Sequence, residues 1–326
     1  MKRDLGIDFL KVVGLLCIIL AHVNPPGILF QLRNFDVVLM ILISAYLGTK
    51  SVKKNYSIFD YYFKRFKRLV IPTWVFLIFL FTLLYIFKPS FLTINKILDS
   101  LILNDGIGYV WVIRIYLIVA ILIPICKIIV DRCNNNIIII STIILYMAYE
   151  LLYYFGFFNN PIILYLFAYI VPCYVLIIIA NYIFDNKKTL FITGWINLVI
   201  FIIILYIIFK QTGEIESTQI QKYPFRIYYL SYALFVSSIF ILTFKNEKIY
   251  NLFNNKIITF ISSHSLWIYL WHILFIYVYS LIDISWIIKY ILIIISSLLI
   301  TIIQSSIVCA LEGKISKKML EIFKGW

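Results

Sequence analysis

The chain has 326 residues, 63% of them hydrophobic and only 13% charged, with a mean hydropathy of +0.99. About half apolar is usual for a soluble domain, so a soluble enzyme is excluded and a polytopic membrane protein of all-α class, a helix bundle, is expected. The net charge of +14 does not point to a nucleic-acid partner. The basic residues sit in short blocks between apolar runs, the arrangement that the positive-inside rule produces and that also favours contact with anionic membrane lipid.

Ten apolar runs approach or exceed the roughly 20 residues that a bilayer core requires. They cover about 5–23, 30–48, 70–88, 109–127, 137–155, 162–183, 190–209, 227–244, 258–280 and 285–308. Pro161, Pro172 and the short 156–161 connection make the fifth and sixth runs the hardest to delimit. No cleavable signal peptide is expected, because Lys2 and Arg3 lead directly into the first run and no small-residue site ends it. Ten spans put both termini on one side. Twenty basic residues fall on that side, seven of them in the 49–69 stretch, against six on the other, so both termini are expected in the cytoplasm. The 49–69 stretch reads as a loop that is partly an amphipathic interfacial helix, since Tyr56, Phe59, Tyr62, Phe63 and Phe66 interleave with its charges. No repeat or low-complexity linker sets off a soluble domain, and residues 1–326 read as one integral membrane domain.

The first span carries Asp8, Lys11 and His22 within or at the edge of its apolar run. At about 100° per residue, Lys11 and His22 return to nearly the same angle and Asp8 lies about 60° from Lys11, so all three share one face. The imidazole is then about 16 Å from the ammonium along the axis. Each buried charge costs roughly 2.5–3.5 kcal/mol on insertion scales, so that face is expected to look into a protein interior or wet cavity. A histidine titrates near neutrality and can take a proton from a hydroxyl; the plainer reading is a helix-end histidine capped by water.

Other polar residues allow similar pairs of readings. Arg65 and Arg68, within the block Lys64–Arg68, are adjacent on a helical surface and can hold phosphate oxygens, or can simply anchor the chain against anionic lipid. Arg33 and Asp36 are three apart and can pair with each other near the outer surface. Glu150 lies mid-span and needs a partner, for which Arg114 and Lys11 are both candidates. His264 and His272 are eight apart, about 80° around a helix, and His272 is the deeper. Three histidines and five cysteines (Cys17, Cys126, Cys133, Cys173 and Cys309) with no CxxC pair supply neither a zinc set nor a disulfide framework, so no metal is expected.

Arg3, Asp8, Lys11 and His22 resemble the first-helix signature of the membrane acyltransferase-3 family: a basic residue, an aspartate, then Arg or Lys followed by ten residues and a histidine. Phe35–Leu47 is similar to its second-helix pattern, and Lys64–Pro72 resembles its R-x-x-R loop leading into I-x-P. Trp111–Pro124 resembles its W-F-L…L-P helix and Ser265–His272 its S-x-x-I-Y-L-x-H helix. The resemblance implies transfer of an acyl group, usually acetyl, from a cytoplasmic acyl-CoA to a hydroxyl of a surface glycan or lipid-linked sugar in a bacterial inner membrane. It implies His22 as catalytic base with Lys11 and Asp8 on its helix, and Arg65, Arg68 and Arg3 around the donor phosphates. Glu150, Arg114, His272, Arg33 and Asp36 are then candidates to line the cavity. Lys11 stands where arginine is commoner, and Asp36 and Ala45 replace glycines, which is expected to narrow the acceptor path. The rival class is a polysaccharide exporter, in which Asp8, Lys11 and Glu150 line a substrate path without acyl chemistry.

Overall fold

A computed structural model describes residues 4–52, 57–104, 106–245 and 255–324. Its helices are α1 (Leu5–Leu20), α2 (Gly27–Leu32), α3 (Asp36–Ser51), α4 (Ile58–Phe87), α5 (Ile94–Leu101), α6 (Trp111–Arg132), α7 (Asn135–Tyr154), α8 (Pro161–Phe167) and α9 (Ile170–Ile183). They continue with α10 (Lys187–Thr212), α11 (Ile227–Phe244), α12 (Lys256–Ser263), α13 (Ser265–Tyr279), α14 (Trp286–Ala310) and α15 (Lys317–Phe323). No strand occurs among the described residues. Among the described residues nine segments are long and apolar enough to cross a membrane, or ten when the α12–α13 pair, bent by 78°, is counted as one span. The protein is an all-α, multi-pass membrane bundle.

Helices α1 and α3 form the centre. α3 packs on α1, α6, α9 and α11, while α10 leans almost wholly on α11 and otherwise faces outward. Close approach of α1 to α3 requires Gly14, since a Cβ there would fall 2.6 Å from Met40 Cγ. The turn after α7 depends on Gly156, whose φ of +75° lies in the left-handed region that favours glycine. Pro161 then opens α8 at a position where its missing N–H costs nothing, and Asn160 caps the helix by accepting from the N–H groups of Ile162 and Ile163.

Four local expectations are corrected. First, α1 ends at Leu20, and His22 sits on a 3-10 turn over Ala21–Val23 that Asn24 closes in the left-handed region. The tighter winding carries His22 roughly 40° further round than a continuous α-helix would, about 17 Å along the axis from Lys11. Second, the helix expected in part of the 49–69 stretch is present but not separate: α4 runs from Ile58, so Lys64–Arg68 is a helical extension of the third span. Third, the ninth span is broken at His264, whose Nδ1–H donates to the Phe260 carbonyl at 3.0 Å and whose ring stacks on Phe260. The 80° separation of His264 from His272 therefore does not apply. Fourth, Glu150 pairs with neither Arg114 nor Lys11. It accepts from Arg226 at 2.8 and 2.9 Å and from the Ile227 N–H at 2.8 Å.

The turn between α2 and α3 is held by a buried ionic network. Arg33 donates to Asp36 at 2.8 Å, and Lys222, in the segment before α11, donates to Asp36 and to Asn34 Oδ1 at 3.0 Å each. Asn34 Nδ2 reaches Thr218 Oγ1 at 2.8 Å, and the Thr218 N–H donates to Gln31 Oε1 at 3.1 Å. Arg33 and Asp36 thus pair as their spacing suggests, and Arg33, Asn34, Asp36 and Lys222 are all 4% exposed or less. Two cations share one carboxylate, and burial pushes the Lys222 ammonium down to about 8 despite Asp36. Removing the carboxylate leaves both cations uncompensated. Asp36→Asn is expected to destabilise the protein by about 3–5 kcal/mol, read as a lower thermal midpoint of the purified protein. Between about 8 and the ordinary lysine value of 10.5 the unfolded chain binds the extra proton. Stability is therefore expected to rise with pH across that window in the wild type, and to rise less in Lys222→Gln.

Candidate active site

A cavity of about 220 Å³ opens between α1, α3, α4, α6, α13 and α15. Its polar wall is built by Lys11 of α1, Arg65 and Arg68 of α4, Ser44 of α3, Tyr116 of α6 and Ser265 of α13. Three of the side chains singled out in the sequence, Lys11, Arg65 and Arg68, thus meet at one cavity although the lysine lies more than 50 residues from the arginines. The helical extension of α4 is what makes this happen, because it projects both arginines beyond Pro72 onto the same wall. Further along the same helices the lining is apolar, with Leu15 and Ile18 of α1 and Ile113 and Val119 of α6. An anionic head at the basic end and a long, largely apolar arm beyond it fit this division.

The cavity ends one turn short of two imidazoles. Ile18 and Tyr269 line it, and His22 and His272 follow four and three residues later, about one helical turn. The two rings lie 5.5 Å apart between centroids, and the Tyr109 ring meets His22 edge-on at 4.8 Å. His272 is completely buried. Its Nδ1 bonds the Tyr269 carbonyl, which only accepts, so the proton is on Nδ1 and the lone pair on Nε2. That Nε2 has no hydrogen-bond partner among the described residues. A buried imidazole with its tautomer held by a backbone carbonyl presents a proton-accepting nitrogen, and such a group is costly unless something uses it.

The remaining sequence candidates lie elsewhere. Asp8 is 5% exposed and accepts from Ser262 Oγ on α12 at 2.6 Å. It shares the helix of Lys11 but does not line this cavity, because its angular offset turns it onto α12. Arg114 donates to Asn104 Oδ1 at 3.0 Å and lies over the Tyr165 ring. Glu150, Arg33 and Asp36 are taken up in the ion pairs described above. None of Glu150, Arg114, Arg33, Asp36 and His272 lines the cavity. Of Asp8, Lys11 and Glu150, which the exporter reading places along one path, only Lys11 lines this cavity. Arg3 lies outside the described residues. Sequence reading missed Tyr109, Tyr269, Lys222 and Glu321. Tyr269 stands within the Ser265–His272 run already matched to a family helix, whereas nothing local marks the others. No group of three or more His, Cys, Asp or Glu that could hold a metal occurs among the described residues.

Fold and cavity together define a multi-pass membrane protein with an internal site that is basic at one end and carries imidazoles beyond the other. The acyltransferase domain of the acyltransferase-3 family matches residues 4–308, nearly the whole chain, and the chain belongs to that family. Its function is accordingly of the membrane acyltransferase type. No curated protein and no solved structure matches it.

The cavity makes a prediction about access. In a background with the exposed Cys133 and Cys309 replaced by serine, Ser44→Cys is expected to react with a membrane-impermeant thiol reagent applied from the side bearing Arg65. The buried His272→Cys is expected to stay unlabelled. Mass spectrometry of the labelled protein reads both.

Proposed function

We propose that this protein transfers an acyl group, acetyl in the simplest case, from a cytoplasmic acyl-CoA to a hydroxyl of a surface glycan or lipid-linked sugar at a bacterial cell membrane. The observation that carries this reading is the single cavity running from Arg65, Arg68 and Lys11 to within one turn of His22 and His272. The positive-inside count assigns the arginine end to the cytoplasm, where the donor is found. The imidazole end then lies toward the outer leaflet, where the acceptor arrives.

In this reading Arg65 and Arg68 hold donor phosphates, for which a guanidinium fork suits the paired oxygens. The acyl arm lies along the apolar wall. His22 takes the proton of the acceptor hydroxyl as its oxygen attacks the thioester carbonyl. The carbon–sulfur bond then breaks, the thiolate leaves, and the imidazolium returns the proton to sulfur. Holding both reactants in one cavity removes the entropy of bringing them together, and base assistance adds roughly 10²–10⁴-fold. His272, whose ring lies 5.5 Å from that of His22, stabilises the charged form that this step creates.

Purified protein supplied with labelled acetyl-CoA and candidate glycans is expected to transfer label. His22→Ala should lower transfer at least ~10²-fold while leaving the thermal midpoint unchanged. Loss of surface glycan with its acetylation untouched would replace this reading with export. Arg65→Ala combined with Arg68→Ala should raise the KM for the donor. The rise should be largest at low salt, because partly exposed guanidinium groups attract phosphate through a field that salt screens. An unchanged KM would return both arginines to lipid anchoring.

A further inference from the structure

Helix α15 lies beyond residue 308, where the family match ends, and it folds back across the cavity. Glu321, Ile322 and Lys324 of this C-terminal segment share the cavity wall with Arg65 and Arg68. Apolar and backbone contacts hold it there. Leu320 is buried, the Phe323 ring stacks on Trp267 at 5.8 Å, and the Phe323 carbonyl accepts from Gln304 Nε2 at 3.0 Å. Trp267 is itself a cavity residue, so the helix is fastened to the site it covers.

The charges that α15 presents have opposite fates. Lys324 bonds Glu312, in the connection just before α15. Glu321 instead turns to the basic block of α4, with its Oε2 3.4 Å from Lys67 Nζ. A carboxylate therefore pairs with Lys67 while lining the same cavity as Arg65 and Arg68, where an anionic ligand would be drawn.

We propose that Glu321 is a tethered competitor for the phosphates of the donor. Helix α15 covers the basic mouth of the cavity while the donor is absent, and an arriving polyphosphate displaces the carboxylate from Lys67 and takes its place. The proposal rests on the reading of this cavity as an acyl-CoA site and describes its regulation. Two features make the helix a competitor and not a fixed wall. The charge it brings to the basic block has the sign of the donor, so it repels the ligand while it stays in place. The Lys67–Glu321 pair is partly exposed, at 19% and 44%, and such pairs hold weakly, so a ligand of several negative charges can break it. The buried Leu320 and the stacked Phe323 bring the helix back once the donor has left.

Binding of coenzyme A and of pantetheine, which lacks phosphate, to the full chain in lipid nanodiscs tests this. Glu321→Gln is expected to tighten coenzyme A binding roughly threefold at low salt, with a smaller gain at high salt, and to leave pantetheine unchanged. Phe323→Ala, which loosens the helix without altering charge, should also tighten coenzyme A. Wild type that binds coenzyme A while Glu321→Gln binds it no tighter would overturn the competitor and leave the donor site standing. An equal gain for pantetheine would also overturn it, since the obstruction would then be steric. Coenzyme A that binds neither the wild type nor either variant would remove the donor site, and the competitor with it.

Discussion

A charge carried into the hydrocarbon slab must meet an opposite charge, a set of hydrogen bonds or a wet surface, and this constraint organises the bundle. Asp36 holds Arg33 and Lys222, Glu150 holds Arg226 and the head of α11, and Asp8 takes the hydroxyl of Ser262. All but the local Arg33–Asp36 pair join elements distant in sequence: the α2–α3 turn to the segment before α11, α7 to α11, and α1 to α12. Lys11, Arg65 and Arg68 also line a cavity. The pairs fix the frame, and within that frame three basic side chains are brought to one cavity wall.

This division bears on the chemistry. A base is useful only if its neighbours are held still, because near-attack geometry tolerates little error. His22 stands on a short 3-10 turn, a weaker element than the helix before it. Tyr109 stands against its ring, and the Tyr290 hydroxyl bonds the Leu16 carbonyl one turn below the end of α1. The turn is therefore supported from outside by side chains of α14 and of the approach to α6.

Much of this was legible in the chain because bilayer thickness sets a length and buried charge sets a cost. Those two rules located the spans and singled out the first helix, while the three-residue spacing of Arg65 and Arg68 marked them as neighbours on a helix. Pairing was not legible. Glu150 could not be assigned to Arg226 from sequence, because 76 residues separate them and nothing local distinguishes Arg226 from Arg114. The 3-10 turn under His22 was hidden for another reason: Ala21 and Val23 are apolar and continue the helical pattern, so the winding changes where the hydropathy does not. The break at His264 was masked likewise, since Ser262, Ser263 and Ser265 are ordinary in a transmembrane helix. The tail helix was invisible, because its placement comes from Phe323 meeting Trp267 and not from any pattern within 317–323.

The break in the ninth span has an electrical side. A straight helix crossing the membrane leaves both its ends in water, where their partial charges are screened. Because α12 and α13 meet at 78°, α13 begins within the bundle instead, and its first residues, Ser265, Leu266 and Trp267, are cavity wall. The start of a helix carries about half a positive charge, set by aligned peptide units. The basic end of the cavity therefore owes part of its potential to backbone geometry, a part that no side-chain replacement removes and no ordinary pH titrates. Straightening the ninth span would discharge it.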